Sequence, residues 1–136
     1  MPSLPPSGSL NRPQLLIVDD DPAVLDVTRS MARAIGCHAL VADTAQQALD
    51  HFRECADRIH TLLVDLNMPR LDGLAFIRLV REYRPSARVL LMTGDVVEPG
   101  RLAEAGVPPE CVLVKPFSLD HLRDAVFGDS GESRAA

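Results

Sequence analysis

Five short apolar runs, separated by stretches with helical periodicity, constrain this chain more than any other feature. The runs are Leu15–Val18, Ala39–Ala42, Thr61–Val64, Val89–Met92 and Cys111–Val114. Each has little polar alternation. A strand exposed on one face alternates apolar and polar residues; a strand buried on both faces does not. The runs therefore predict a parallel sheet covered on both sides.

The intervening stretches supply that cover. Pro22–Ile35 places Val24, Val27, Met31 and Ile35 on one side, with Asp21 as cap, Pro22 at the first helical position and Gly36 just past the end. Thr44–Ala56 repeats Ala45, Ala48, Leu49, Phe52 and Cys55 on one face. Leu74–Tyr83 carries Leu74, Ile77 and Val80 and stops before Pro85. The last helix is expected to start at a Ser118 cap, with Phe117 and Leu122 placed for a hydrophobic staple. Val96–Ala105 is weaker. Pro99 and Gly100 lie near its start, and Gly106, Pro108 and Pro109 follow, so a short fourth helix and an irregular loop are expected.

Strand and helix alternating five times predict an α/β fold with an open, doubly wound parallel sheet. Five strands favour the flavodoxin-like order 2-1-3-4-5. Ligands in such sheets bind beyond the carboxyl ends of the strands where strand order reverses, here between strands one and three.

At 136 residues the chain is the size of one domain and needs neither disulfides nor a structural metal for its core. Residues 1–13 and 128–136 read as flexible tails around a domain spanning 14–127. The formal net charge of −5 and the lack of a basic stripe argue against DNA as a partner. Cys37, Cys55 and Cys111 are widely spaced and read as reduced thiols. There is no secretory leader and no apolar run of membrane-spanning length, so a cytoplasmic protein is expected, without membrane attachment.

The carboxyl edge is where the chemistry collects. Strand one is followed by Asp19 and Asp20, strand three by Asp65, strand four by Thr93 and strand five by Lys115. Scattered surface charge does not fall this way at four strand ends out of five. Crowded carboxylates repel one another and need a cation. An all-oxygen donor set suits a hard ion such as Mg²⁺, with Mn²⁺ as a substitute. A carboxylate can attack phosphorus and form an acyl phosphate. The phosphoryl oxygens then need positive charge and donors, which Lys115, Thr93 and the ion can supply.

VDD at the first strand end, VDLNMPRLDG after the third, MTGD after the fourth and VKPF after the fifth resemble the receiver domains of two-component response regulators. The resemblance runs from Gln14 to Phe127, in the family's order. It implies that Asp65 takes a phosphoryl group from a phosphohistidine on a sensor histidine kinase or histidine phosphotransfer protein. It also implies that Asp20 ligates Mg²⁺ directly, Asp19 mostly through water, and Asn67 through its backbone carbonyl. Lys115 is expected to pair with the phosphoryl oxygens, and its bond to Pro116 is often cis in this family. Thr93 is expected to move toward the phosphoryl group and relay the change to a downstream protein target. A monomer or weak dimer is expected.

Other residues are better explained by structure. Asp21 reads as a helix cap, and Asp72–Gly73 as turn chemistry leading into the third helix. His51 and Cys55 share a helical face, but no second pair completes a zinc site, so Cys55 reads as core and His51 as surface. His38, His60 and His121 show no pattern.

Two positions bear on output and lifetime. Val112 stands where many receivers carry a switch aromatic, and it has neither ring nor polar tip. Output is therefore expected to run through altered mobility around Val96–Glu110. Asp95, two residues past Thr93, can position a hydrolytic water or repel anionic donors. A phosphatase of the haloacid dehalogenase type is the alternative from another class. It would place its nucleophile after the first strand and an acid where Asn67 stands. Within the family, the initiating Met and both tails favour a stand-alone protein over the receiver segment of a hybrid histidine kinase.

Overall fold

Strands buried on both faces need two cores, and each strand must divide its side chains between them. A computed structural model, describing residues 13–55, 58–68 and 71–127, shows that division. Strands β1 (Gln14–Val18), β2 (His38–Ala42), β3 (Ile59–Asp65), β4 (Val89–Thr93) and β5 (Val112–Val114) pair in parallel in the order β2-β1-β3-β4-β5. This is the flavodoxin-like, doubly wound order. Helices α1 (Pro22–Ala34), α2 (Ala45–Cys55), α3 (Gly73–Tyr83), α4 (Pro99–Ala105) and α5 (Leu119–Val126) cover the sheet.

Leu16, Val18, Leu62, Val64, Val89 and Leu91 form one core with Phe52 of α2, Phe76 and Ile77 of α3, and Leu102 of α4. Leu15, Ile17, Leu63, Leu90 and Met92 form the other with Leu25 and Ala32 of α1 and Leu122 and Val126 of α5. The period of two along β1, β3 and β4 thus serves both faces. The edge strands β2 and β5, expected to be buried on both faces, bury only Ala42 and Leu113, because each has a neighbour on one side alone. Each large side chain so buried contributes roughly 1.5–3 kcal/mol. That burial holds the strand ends, and hence the carboxyl edge, in fixed register.

Several local expectations need correcting. The buried stripe of α1 is Leu25, Thr28 and Ala32, whereas Val27 is 60% exposed. Val24, Met31 and Ile35 flank the stripe half-buried. Small Thr28 and Ala32 fit beneath the helix where a count of large apolar residues does not look. α4 starts at Pro99, not Val96, because proline's fixed φ and missing N–H suit the first helical position. It stops at Gly106, whose φ of 72° is left-handed. Cys111 belongs to a 3-10 turn, Pro109–Cys111, closed by its N–H on the Pro108 carbonyl at 2.9 Å. β5 therefore begins at Val112.

Ser118 caps α5 as expected, and Phe117 and Leu122 lie in one core cluster. His121 completes a reciprocal capping box with Ser118, a role unforeseen for it. A small antiparallel pair, Asn67–Met68 with Leu71–Asp72, follows β3 and was also unforeseen. Apart from Pro13, the two expected tails lie outside the described residues, as does Ala56.

Candidate functional site

The strand register brings the acids together. Val18 of β1 pairs with Val64 of β3, so the next residues, Asp19 and Asp65, emerge side by side. Asp19 is tied down by its N–H to the Ala42 carbonyl at 3.1 Å. Both carboxylates are buried, at 1% and 4% exposure, while Asp20 faces solvent. Carboxylate oxygens of Asp19, Asp20 and Asp65 lie within 4.8 Å of one another. Asp21 accepts from the Ala23 N–H at 2.9 Å as the cap of α1, and its own N–H donates to Asp19 Oδ1 at 3.0 Å.

Lys115 reaches this pair from the far side of β4. Its N–H donates to the Thr93 carbonyl at 2.8 Å, and the Lys115–Pro116 peptide is cis. Its Nζ donates to Asp65 Oδ1 at 3.3 Å and to Asp19 Oδ2 at 3.4 Å. Among the described residues, one ammonium stands among three carboxylates, a negative balance. Burial pushes the Asp19 carboxyl above its ordinary range. The Asp21 N–H opposes this, the Asp65 charge adds to it, and Lys115 again opposes it. An all-oxygen, net-negative cluster with one open acid fits a hard divalent cation that keeps some of its water.

Thr93 is fully buried at the end of β4. Its Oγ1 accepts from the Asp95 N–H at 3.0 Å and lies 3.1 Å from the Asp95 carbonyl and 3.4 Å from Asn67 Oδ1. With one proton to give, it favours the nearer carbonyl. The Asn67 N–H donates to Asp65 Oδ1 at 3.2 Å, so Asn67 touches both Thr93 and Asp65. Asn67 and Asp95 are exposed at the mouth. Val112 is half-buried and packs against the core shared with α2, α3 and α4. Cys55 packs on that core too, and His51 is half-buried beside it on α2.

One neighbour of the site does more than the turn chemistry expected of it. Gly73 is buried in the first turn of α3, and a Cβ there would lie 2.6 Å from the Asp65 carbonyl oxygen. The signal was present in the sequence: Asp72 already supplies the cap, leaving the glycine after it with no turn to make.

Residues 15–127 match the response regulator receiver domain family. The response regulator MprA of Mycobacterium avium (strain 104) is 33% identical over 109 residues, which cover 80% of this chain and 47% of the relative. The chain therefore spans about half the length of the curated relatives it matches. A response regulator receiver domain protein from Clostridium thermocellum superposes with a TM-score of 0.78 at 22% identity, over 90% of this chain and 98% of that one. A response regulator receiver protein from Pseudomonas putida gives 0.75 at 28% identity, over 86% and 97%. Motifs, sheet order and the acid-lined edge agree with these matches, and the chain belongs to the response regulator receiver domain family of two-component systems.

Proposed function

We propose that Asp65 accepts a phosphoryl group from a phosphohistidine donor, a sensor histidine kinase or a histidine phosphotransfer protein, in a Mg²⁺-dependent step. The observation that carries this reading is the buried Asp65 carboxylate, held by Lys115 at 3.3 Å beside the acids of β1. A carboxylate oxygen forms the new P–O bond as the donor's P–N bond breaks. The leaving imidazole keeps the electron pair and is protonated from solvent.

Asp20, Asp19, Asp65 and the Asn67 carbonyl are the residues that would hold Mg²⁺ or Mn²⁺. When bound, the ion neutralises charge on the phosphoryl oxygens. Lys115 neutralises a second oxygen, and Thr93 gives up its Asp95 carbonyl to donate to a third. That exchange is the start of the signal to a downstream protein partner. The chain works in the cytoplasm, as a phosphoacceptor and not as a turnover enzyme. Asn67 is an amide and not a titratable acid, so it cannot protonate a leaving group and phosphate-ester hydrolysis is slow.

Incubation with acetyl phosphate and Mg²⁺, followed by intact-mass measurement, tests the reading. One phosphoryl adduct on wild type and none on Asp65→Ala is expected. No adduct on wild type overturns it, and brisk turnover of p-nitrophenyl phosphate would point to a phosphatase instead.

A further inference from the structure

We infer that Gly73 is a positioning residue for Asp65: its bare Cα lets the start of α3 rest on the Asp65–Leu66 peptide and so aims the carboxylate. This rests on the reading of Asp65 as acceptor. Backbone conformation does not require glycine here, because among the described residues only Gly36 and Gly106 have positive φ. Space requires it. A Cβ at Gly73 would stand 2.6 Å from the Asp65 carbonyl oxygen, 3.0 Å from Leu66 Cα and 3.3 Å from the Asp65 carbonyl carbon. All three are backbone atoms, so no rotamer change makes room.

Something must move, and the packing decides what. α3 is anchored by buried Leu74, Phe76, Ile77 and Val80 and by the Asp72 cap, whose Oδ1 accepts from the Leu74 N–H at 2.9 Å. The Asp65–Leu66 peptide leaves the end of β3, where the Leu66 N–H donates to the Met92 carbonyl at 2.9 Å and Leu66 is half-buried against the core. These are fewer and shallower anchors than the four buried side chains of α3. The peptide therefore turns more readily than the helix withdraws. Asp65 has a short side chain on the Cα next to that peptide. The Asn67 N–H that grips its Oδ1 lies just beyond, at 3.2 Å. Turning the peptide displaces both, and with them the 3.3 Å contact to Lys115. A misplacement of about 1 Å at a reacting group costs up to about 10²-fold in rate.

The test compares wild type, Gly73→Ala and Gly100→Ala, whose Cβ would meet nothing within 4 Å. Phosphorylation by acetyl phosphate is timed at saturating Mg²⁺. Without any donor, NMR follows the Asn67 amide and Asp65 carboxyl resonances. Gly73→Ala is expected to slow phosphorylation about tenfold or more and to shift both resonances. Gly100→Ala is expected to match wild type in both. A folded Gly73→Ala protein with wild-type rate and unshifted resonances overturns the inference. If Gly73→Ala is largely unfolded, trimethylamine N-oxide restores burial. A slow rate per folded molecule then supports positioning, and a rate recovering in step with the fold overturns it. If wild type itself takes no phosphoryl group, the acceptor reading fails. The donor-free resonances then decide the placement alone: shifted ones support it, unmoved ones overturn it.

Discussion

The two sides of the carboxyl edge are built differently. Between β1 and β3, Asp19 and Asp65 are buried, share one lysine, and are each gripped by a backbone N–H at the next turn. Beyond β4 the surface loosens. Val96 is 97% exposed, Val114 is 59% exposed, and α4 is seven residues long, bounded by Pro99 and Gly106. A reacting group gains from a site that does not reorganise. A signalling surface gains from segments whose local opening is cheap. Under the proposed function the molecule separates the two, with Thr93 and Asn67 at the boundary. The half-buried Val112 puts no ring across it.

The largest test of the rigid side is Lys115→Ala. It removes the cation that contacts Asp65 among the described residues, and phosphorylation by acetyl phosphate is expected to slow by about 10²-fold. A change of less than severalfold would mean that the lysine does not hold the phosphoryl oxygens. A smaller effect is expected at the boundary. Asp95→Ala removes an exposed carboxylate from the mouth, and loss of the phosphoryl group is expected to slow severalfold with Mg²⁺ affinity unchanged. Equal decay rates in the two proteins would remove Asp95 from the chemistry.

The loose side is tested by amide exchange with and without beryllofluoride and Mg²⁺. Exchange across 96–110 is expected to change while the amides of β1 and β3 stay protected. Unchanged exchange across that segment would mean that output leaves by another surface.

The subtlest test is pH dependence in chelator. The Asp19 carboxyl is raised by burial, so between the ordinary carboxylate value of 3.8 and its own, the folded state binds more protons than the unfolded. Its contribution to stability is therefore complete below the ordinary value and lost as pH rises through the raised one. Relative to Asp19→Asn, metal-free wild type is expected to lose stability as pH rises through that window. A flat difference in denaturation midpoints would contradict the burial argument.

Much of this was legible from residue order. Runs without polar alternation announced two-sided burial, and the pairing of Val18 with Val64 turned two strand ends into one acid cluster. What escaped notice depends on small groups and on contacts distant in sequence. Thr28 and Ala32 set the buried side of α1 because they are small, which a search for large apolar residues misses. The His121 capping box needed a histidine where Glu or Gln is usual. Gly73 read as turn chemistry until the approach of α3 to the Asp65 peptide was visible.

The central claim is that Asp65, and no neighbouring acid, carries the phosphoryl group. Borohydride reduction after acetyl phosphate treatment converts an aspartyl phosphate to homoserine, which peptide mass mapping locates. Homoserine at position 65 is the predicted result; homoserine at 19 or 20, or none at all, would contradict it.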